Sequence, residues 1–486
     1  MTDLQRKGLS RRGFLGATVG GAAVAASPFS LFGTRAALGE HVGDGYGPLQ
    51  PTIDQTTGLP LLLLPAGFEY LSFGWTGDIM SDGVPTPRGH DGMAAIRNNG
   101  GNVMLVRNHE LTDGPSFAPP GATYDPVAGG GTTNLEFDTA AGQLVNDYAS
   151  LSGTVRNCAG GPHARRSWLS CEETTRGMND ATSAGVTFAR KHGYVFEVPA
   201  DGLSTAEPIV GMGRFSHEAT ATDPATGIVY ETEDTGDSAI YRYVPNTRPI
   251  LLDGGVLQAM KITSARNTAN FGPNGVYDTS TGQQEGDEYT VEWVDVAEPD
   301  PDLEGGAPTT RAQAQARGAA IIERGEGMWY GLDRIYFIST SGGDANEGQV
   351  FELDPATDTL RLVFESPGEQ VLGNPDNVCT TPRGGIILCE DGGFDDPDSG
   401  GARRQRLHGL SPDGEIFEFA QNNILLPPGS DLIARFPGSV EAPGDFRSGE
   451  WAGATFENRA RRWLFVNIQS PGVTFAITGP WGQSIL

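Results

Sequence analysis

Short apolar runs separated by Gly, Pro, Asp and Asn pattern this chain, and long amphipathic helices are hard to find. Runs at 103–106, 167–170, 227–230, 335–338, 385–388 and 462–466 have the length and flanks of β-strands, which predicts an all-β fold. Asp223-Pro224-Ala225-Thr226-Gly227, Asp354-Pro355-Ala356-Thr357 and Ser411-Pro412-Asp413-Gly414 supply the turns that hairpins between them require.

Six stretches align with one another. Their openings are Gly89-His90-Asp91-Gly92-Met93, Arg156-Asn157-Cys158-Ala159-Gly160, Ser216-His217-Glu218-Ala219-Thr220, Arg324-Gly325-Glu326-Gly327-Met328, Asn374-Pro375-Asp376-Asn377-Val378 and Ser448-Gly449-Glu450-Trp451-Ala452. A turn and an apolar strand follow each. Four of those strands end in acid: Asn108-His109-Glu110, Cys171-Glu172-Glu173, Glu231-Thr232-Glu233-Asp234 and Cys389-Glu390-Asp391. The other two end in Ser339-Thr340 and Asn467. Successive openings lie 67, 60, 108, 50 and 74 residues apart. Such uneven spacing suits a six-bladed β-propeller with irregular outer insertions better than a strict solenoid or a sandwich. The Pro- and Asp-rich segment 295–317 reads as an exposed excursion from the fourth repeat's approach.

In a propeller, equivalent positions point at one axis. The aligned position holds Asp91, Cys158, Glu218, Glu326, Asp376 and Glu450, so five carboxylates and a thiol should converge at the channel mouth. A second acidic tier (Glu110, Glu172 with its neighbour Glu173, Glu231 or Glu233, and Glu390) should lie a strand's length away or at the other rim. Crowded carboxylates repel and resist ionisation unless a cation neutralises them. Hard oxygen ligands suit calcium, magnesium or ferric iron, and one thiolate favours a transition metal beside it. Solvated turn capping is the other role open to such acids, Asp91 and Asp376 included. Asn377 is a neutral oxygen ligand candidate. His90, His109 and His217 flank acids but are not assigned as ligands.

Charge sharpens this picture. Lys and Arg total 33 against 61 Asp and Glu, a net charge of −28, which disfavours nucleic acid and anionic membranes as partners. Five of the basic residues lie in 1–37, where Ser10-Arg11-Arg12-Gly13-Phe14-Leu15 precedes a weakly apolar Gly/Ala-rich stretch. That arrangement fits a twin-arginine signal peptide recognised by the twin-arginine translocation machinery, followed by a single propeller domain over 38–486. Removing it leaves 28 basic and 60 acidic residues, a charge of −32, on a monomer expected in the periplasm or beyond. Cys171 and Cys389 fall in repeats on opposite sides of a six-bladed ring, as do Cys158 and Cys379, too far apart to pair. Pairing within a repeat stays open, and Cys158 reads as a free, metal-lowered thiolate.

A metal cluster in an acidic ring would be locally cationic and could hold a phosphate ester. Phosphoryl transfer also calls for a guanidinium, and Arg324, two residues before Glu326, is placed to supply it, with an ion pair inside the ring as its other role. No Gly-x-Ser-x-Gly, Walker or His-Glu-x-x-His pattern occurs. Asn157-Cys158-Ala159-Gly160-Gly161, Cys171-Glu172-Glu173, His217-Glu218-Ala219, Arg324-Gly325-Glu326-Gly327, Asn374-Pro375-Asp376-Asn377 and Glu450-Trp451-Ala452-Gly453, with the twin-arginine signal, resemble the PhoX-type alkaline phosphatases over nearly all the mature chain. The resemblance implies a six-bladed propeller holding an iron–calcium (Fe3+, Ca2+) cluster that hydrolyses phosphomonoesters. It implies iron ligation by Cys158, oxygen ligands from Glu218, Glu326 and the Glu450-Trp451 segment, and a phosphate clamp at Arg324. A calcium-dependent lactonase-type propeller and a non-catalytic propeller with structural metals are the alternatives; Cys158 and Arg324 argue against the lactonase.

Overall fold

The computed structural model describes residues 43, 45–97, 102–392, 394–396, 402–411, 414–426, 432, 444–457 and 462–486. The expected signal peptide lies outside them. Helix is scarce, with Thr310–Gln315 an α-helix of six residues, and among the described residues no helix is long and apolar enough to cross a membrane.

Six innermost strands form a closed ring in which each touches the next: His90–Arg97, Asn157–His163, His217–Thr222, Gly325–Gly331, Pro375–Thr380 and Trp451–Phe456. Each begins an antiparallel blade, numbered one to six here. Blade one is regular, with four strands, and the second and third strands of blade two (Ser167–Glu172, Val195–Pro199) are followed only by a bridge between Phe196 and Pro208. Blades three and four are joined by Glu288–Asp295, which pairs with Ile250–Ser264 on one side and Thr359–Glu365 on the other. Strands Leu49–Thr52 and Leu62–Pro65 extend blade five, and the next strand, Glu69–Phe73, completes blade six by pairing with Val473–Thr478, so early and late segments of the chain share one blade. All six apolar runs fall within or overlap the second strand of a blade.

Period-two alternation explains the core. In blade four, Phe337 and Phe351 pack towards blade three, while Tyr336, Ile338 and Val350 pack towards blade five. The same alternation repeats around the ring, so an apolar layer fills each of the six gaps between neighbouring blades. Segment 295–317 is only partly the exposed excursion expected: Val296, Pro301, Thr310 and Ala314 are buried, and Arg214 forms an ion pair with Glu304 at 2.6 Å. The axis itself is nearly filled, with a cavity of about 10 Å³ among Ala159, Ala219, Met328, Trp329, Val378 and Ala454. The acidic end of the channel is therefore a blind funnel.

Candidate metal centre and active site

All six inner strands slip register against their second strands at one equivalent place, where two residues on the inner strand oppose one on its partner. Such a bulge re-aims side chains. Its first residue is Asp91, Cys158, Glu218, Glu326 and Asp376 in blades one to five, the positions aligned from sequence. Blade six differs. Ala452 pairs with Asn467 before the slip and Thr455 with Phe465 after it, so the equivalent residue is Gly453, three positions beyond Glu450.

Four acids and Cys158 thus meet at one level, all buried. Donor atoms of Cys158, Glu173 and Glu218 lie within 4.8 Å of one another, and so do those of Glu218, Glu326 and Asp376. Glu218 belongs to both groups. It is fully buried, and neither carboxylate oxygen has a hydrogen-bond partner among the described residues. Burial raises its proton affinity well above the usual carboxylate range, and the charges of Glu326 and Asp376 raise it further. Burial and the neighbouring acids push Asp91, Glu173, Glu326 and Glu450 up as well, and Asp376 to about 7. Burial and the charges of Asp91 and Glu218 push the Cys158 thiol up. Leaving a buried carboxylate without donors is costly, and polyvalent cations shared through Glu218 would remove the cost. The donor set fits a metal cluster.

Two guanidiniums stand over this set. Arg324 Nε and Nη2 hold Asp234 at 2.8 and 2.9 Å, and Nη2 also reaches Glu326 Oε1 at 2.8 Å. Arg156 links Glu110 (Nε to Oε1, 2.9 Å) to Glu173 (Nη2 to Oε2, 2.6 Å). Both side chains remain more than 40% exposed, at 44% and 42%, so the funnel opens onto positive charge above its acids.

The alkaline phosphatase PhoX family matches residues 44–147 and 130–472. The chain belongs to the PhoX family. A solved structure of Pseudomonas fluorescens PhoX in complex with vanadate, a transition state analogue, shares its fold: the two are 17% identical, the match covers 91% of this chain and 98% of that one, and the TM-score is 0.63. A gluconolactonase from Xanthomonas campestris is 12% identical over 89% of this chain and 98% of its own, at a TM-score of 0.38. No curated protein matches the sequence.

Within this PhoX-family fold, the expected second tier is not a strand's length away. The hairpin between the first two strands places Glu172 opposite Asn157, Glu233 opposite His217 and Glu390 opposite Pro375, beside the first tier. Its members also differ in kind. Glu172 is saturated by Val155 N (2.8 Å), His192 Nδ1 (2.6 Å), Gly193 N (2.8 Å) and Tyr194 N (3.1 Å). Glu390 accepts from Gly373 N at 2.7 Å and from the buried Arg406 guanidinium, and its proton affinity falls despite burial, through the Arg406 guanidinium and the His408 ring 3.6 Å away. Both are structural carboxylates, a correction to their reading as ligands. Glu233 is engaged by Tyr241 and Arg311. Glu231 lies 3.3 Å from His217 Nδ1 and outside both donor groups, although its two buried oxygens also accept no hydrogen bond among the described residues.

Glu110, Glu173 and Glu450 face the funnel. Gln469 Nε2 bridges Asp91 Oδ2 and Glu110 Oε2 at 3.2 and 2.8 Å. Asn377 spends its Oδ1 on Gly453 N at 2.9 Å and its Nδ2 on Asp376, so it fastens blade six to blade five. The Trp451 indole is buried and donates to Gln405 O at 3.0 Å; it carries no oxygen, so an oxygen ligand from this residue would be its backbone carbonyl. His90 and His109 bond to carbonyls of 87 and 88, and burial holds both neutral. All four cysteines are free and buried. Sequence reasoning passed over Arg156, Asp234 and Asp391. The signal was present, since each sits at a repeat position beside a residue that was chosen.

Proposed function

We propose that the funnel holds a cluster of iron and calcium and hydrolyses phosphomonoesters, in a monomer exported through the twin-arginine route. Glu218 carries the reading: a fully buried carboxylate with two unpartnered oxygens at the junction of two donor groups. Cys158, Glu173, Glu218, Glu326 and Asp376 would hold the cations, with Asp91 and Glu450 at the margin. Cations there supply Lewis-acid polarisation of the phosphoryl oxygens and neutralise the acids.

The chain's own residues do the rest. Asp234 fixes the Arg324 guanidinium plane through two parallel bonds, and Nη1 makes no hydrogen bond among the described residues. Nη1 so held can donate a charge-assisted hydrogen bond to an equatorial phosphoryl oxygen as charge builds on it. Filling of the axis by small and apolar residues blocks solvent from below, so substrate enters and product leaves through the mouth.

The test is elemental analysis and p-nitrophenyl phosphate turnover on protein matured in its native host. Iron and calcium together, with kcat/KM falling about 100-fold or more in Arg324→Ala and activity lost in Cys158→Ala, support the proposal. Calcium alone, with unchanged phosphatase activity in both variants, would overturn it.

A further inference from the structure

Arg156 and Arg324 occupy equivalent places two blades apart. Each lies two residues before the first bulge residue, Cys158 or Glu326. Each donates its backbone N–H to a carbonyl just past the preceding blade's acidic strand end: Arg156 to Leu111 and Arg324 to Thr235, both at 2.9 Å. Each accepts at its own carbonyl from its blade's second strand, from Glu173 N at 2.9 Å and Thr340 N at 3.0 Å. The side chains repeat as well, since Glu110 and Asp234, which receive the two Nε–H groups, stand at equivalent strand ends.

Backbone conformation makes this repetition informative. Arg156 and Arg324 have φ of 53° and 50°, in the left-handed region that is costly for a residue with a long side chain. Blades one and five use Gly89 (φ 65°) and Asn374 (φ 43°), the residue types that tolerate it. Two arginines at such a position point to a use for the side chain. Neither Nη1 makes a hydrogen bond among the described residues, and both guanidiniums are nearly half exposed. They flank an acid pair, because Glu173 lies against Asp234. Elsewhere around the mouth, Asp391 and Glu450 would repel a second negative group on a substrate.

We propose that Arg156 is a second anion-binding arm that selects esters whose leaving group carries another anionic group, such as a second phosphate. This rests on the phosphatase reading above, with Arg324 on the transferred phosphoryl group and Arg156 on the distal anion. One guanidinium edge contributes charge-assisted hydrogen bonds to that anion, so its removal should cost about tenfold or more in selectivity.

The experiment uses the full metal-loaded chain, with fructose 1,6-bisphosphate and p-nitrophenyl phosphate as substrates and metal content measured in every variant. Arg156→Met should lower kcat/KM for the bisphosphate at least about tenfold more than for p-nitrophenyl phosphate, chiefly through KM. Metal content should hold, and Arg156→Lys should recover part of the preference. Arg324→Met should lower both substrates alike. Equal losses on both substrates in Arg156→Met, or losses that track lost metal, overturn the proposal and make Arg156 a counter-ion for Glu173. Wild-type protein that hydrolyses neither ester overturns the phosphatase reading instead. The arm is then judged by calorimetry: tighter binding of inorganic pyrophosphate than of phosphate, reduced in Arg156→Met, supports it, and an unchanged ratio overturns it.

Discussion

His192 offers the sharpest test of how this propeller is held together beneath its site. The ring is fully buried between blades one and two, with Nδ1 2.6 Å from Glu172 Oε1 and Nε2 3.5 Å from Asp125 Oδ2. Burial alone would strip its proton, but the Glu172 charge and the Asp125 and Glu172 contacts outweigh burial and raise its pKa to about 9. An unfolded histidine titrates near 6.5. A folded-state pKa above the unfolded one means the imidazolium stabilises the fold fully below about pH 6.5. That stability declines as pH rises and is gone once pH passes about 9. At about 1.4 kcal/mol per pH unit, the whole span amounts to about 3 kcal/mol, with no discount for solvent because no part of the ring is exposed. His192→Gln keeps a polar side chain but cannot carry the proton. Urea denaturation of the metal-loaded wild type and variant between pH 6 and 10 should show the stability difference shrinking by about 3 kcal/mol as pH rises. Subtracting the variant removes the pH dependence of the metal site, which both proteins share. A difference that stays flat across pH 6 to 10 would refute the assignment of a charged His192.

Three further substitutions separate the two kinds of carboxylate and test the packing under the site. Glu172→Gln should lower stability by about 3 kcal/mol, since its amide would face four donors, yet metal content should persist; Glu218→Gln should lose metal while destabilising the metal-free chain less, as read by elemental analysis beside denaturation. Gly327→Ala would place a Cβ 2.4 Å from Asp376 O and 2.8 Å from Asn377 Cα, both in backbone, so it should cost about 1–3 kcal/mol and lower metal occupancy by pushing Glu326 and Asp376 apart; full occupancy at wild-type stability would contradict this.

Much of the ring was legible because a bulge repeats a residue pattern. Asp91, Cys158, Glu218, Glu326 and Asp376 each open a short motif followed by a turn and an apolar strand, and all five occupy one structural level. Blade six was misaligned by three residues because its bulge begins at Gly453, which carries no side chain to recognise, while Glu450 offered a carboxylate in the wrong register. The second tier was misplaced for another reason. Strand lengths can be read from apolar runs, but the end of a second strand returns beside the start of the first, and only pairing shows it. Separating Glu172 and Glu390 from Glu218 was beyond composition too. All three are buried acids at repeat positions, and what divides them is the supply of donors: Tyr194 N, Gly193 N and Arg406 come from the third strands and the loops that lead to them.

The small residues beside the acids complete the argument from sequence to site. The second bulge residue is Gly92, Ala159, Ala219 and Gly327 in blades one to four. A Cβ on Gly92 would meet Ala159 Cα at 2.5 Å, one on Gly327 would meet Asp376 O, and one on Gly453 would meet Asp91 O at 2.6 Å. Each inner strand therefore lies against the backbone of its neighbour at the level where the acids emerge. That proximity lets ligands from four different blades share donor groups only 4.8 Å across. It also leaves no room for the donors that would otherwise satisfy Glu218, whereas the roomier second strands admit His192 and Arg406 to Glu172 and Glu390. Close packing at the axis thus produces both the convergence of the carboxylates and their unmet charge, and the same feature that closes the channel makes its mouth a place for cations.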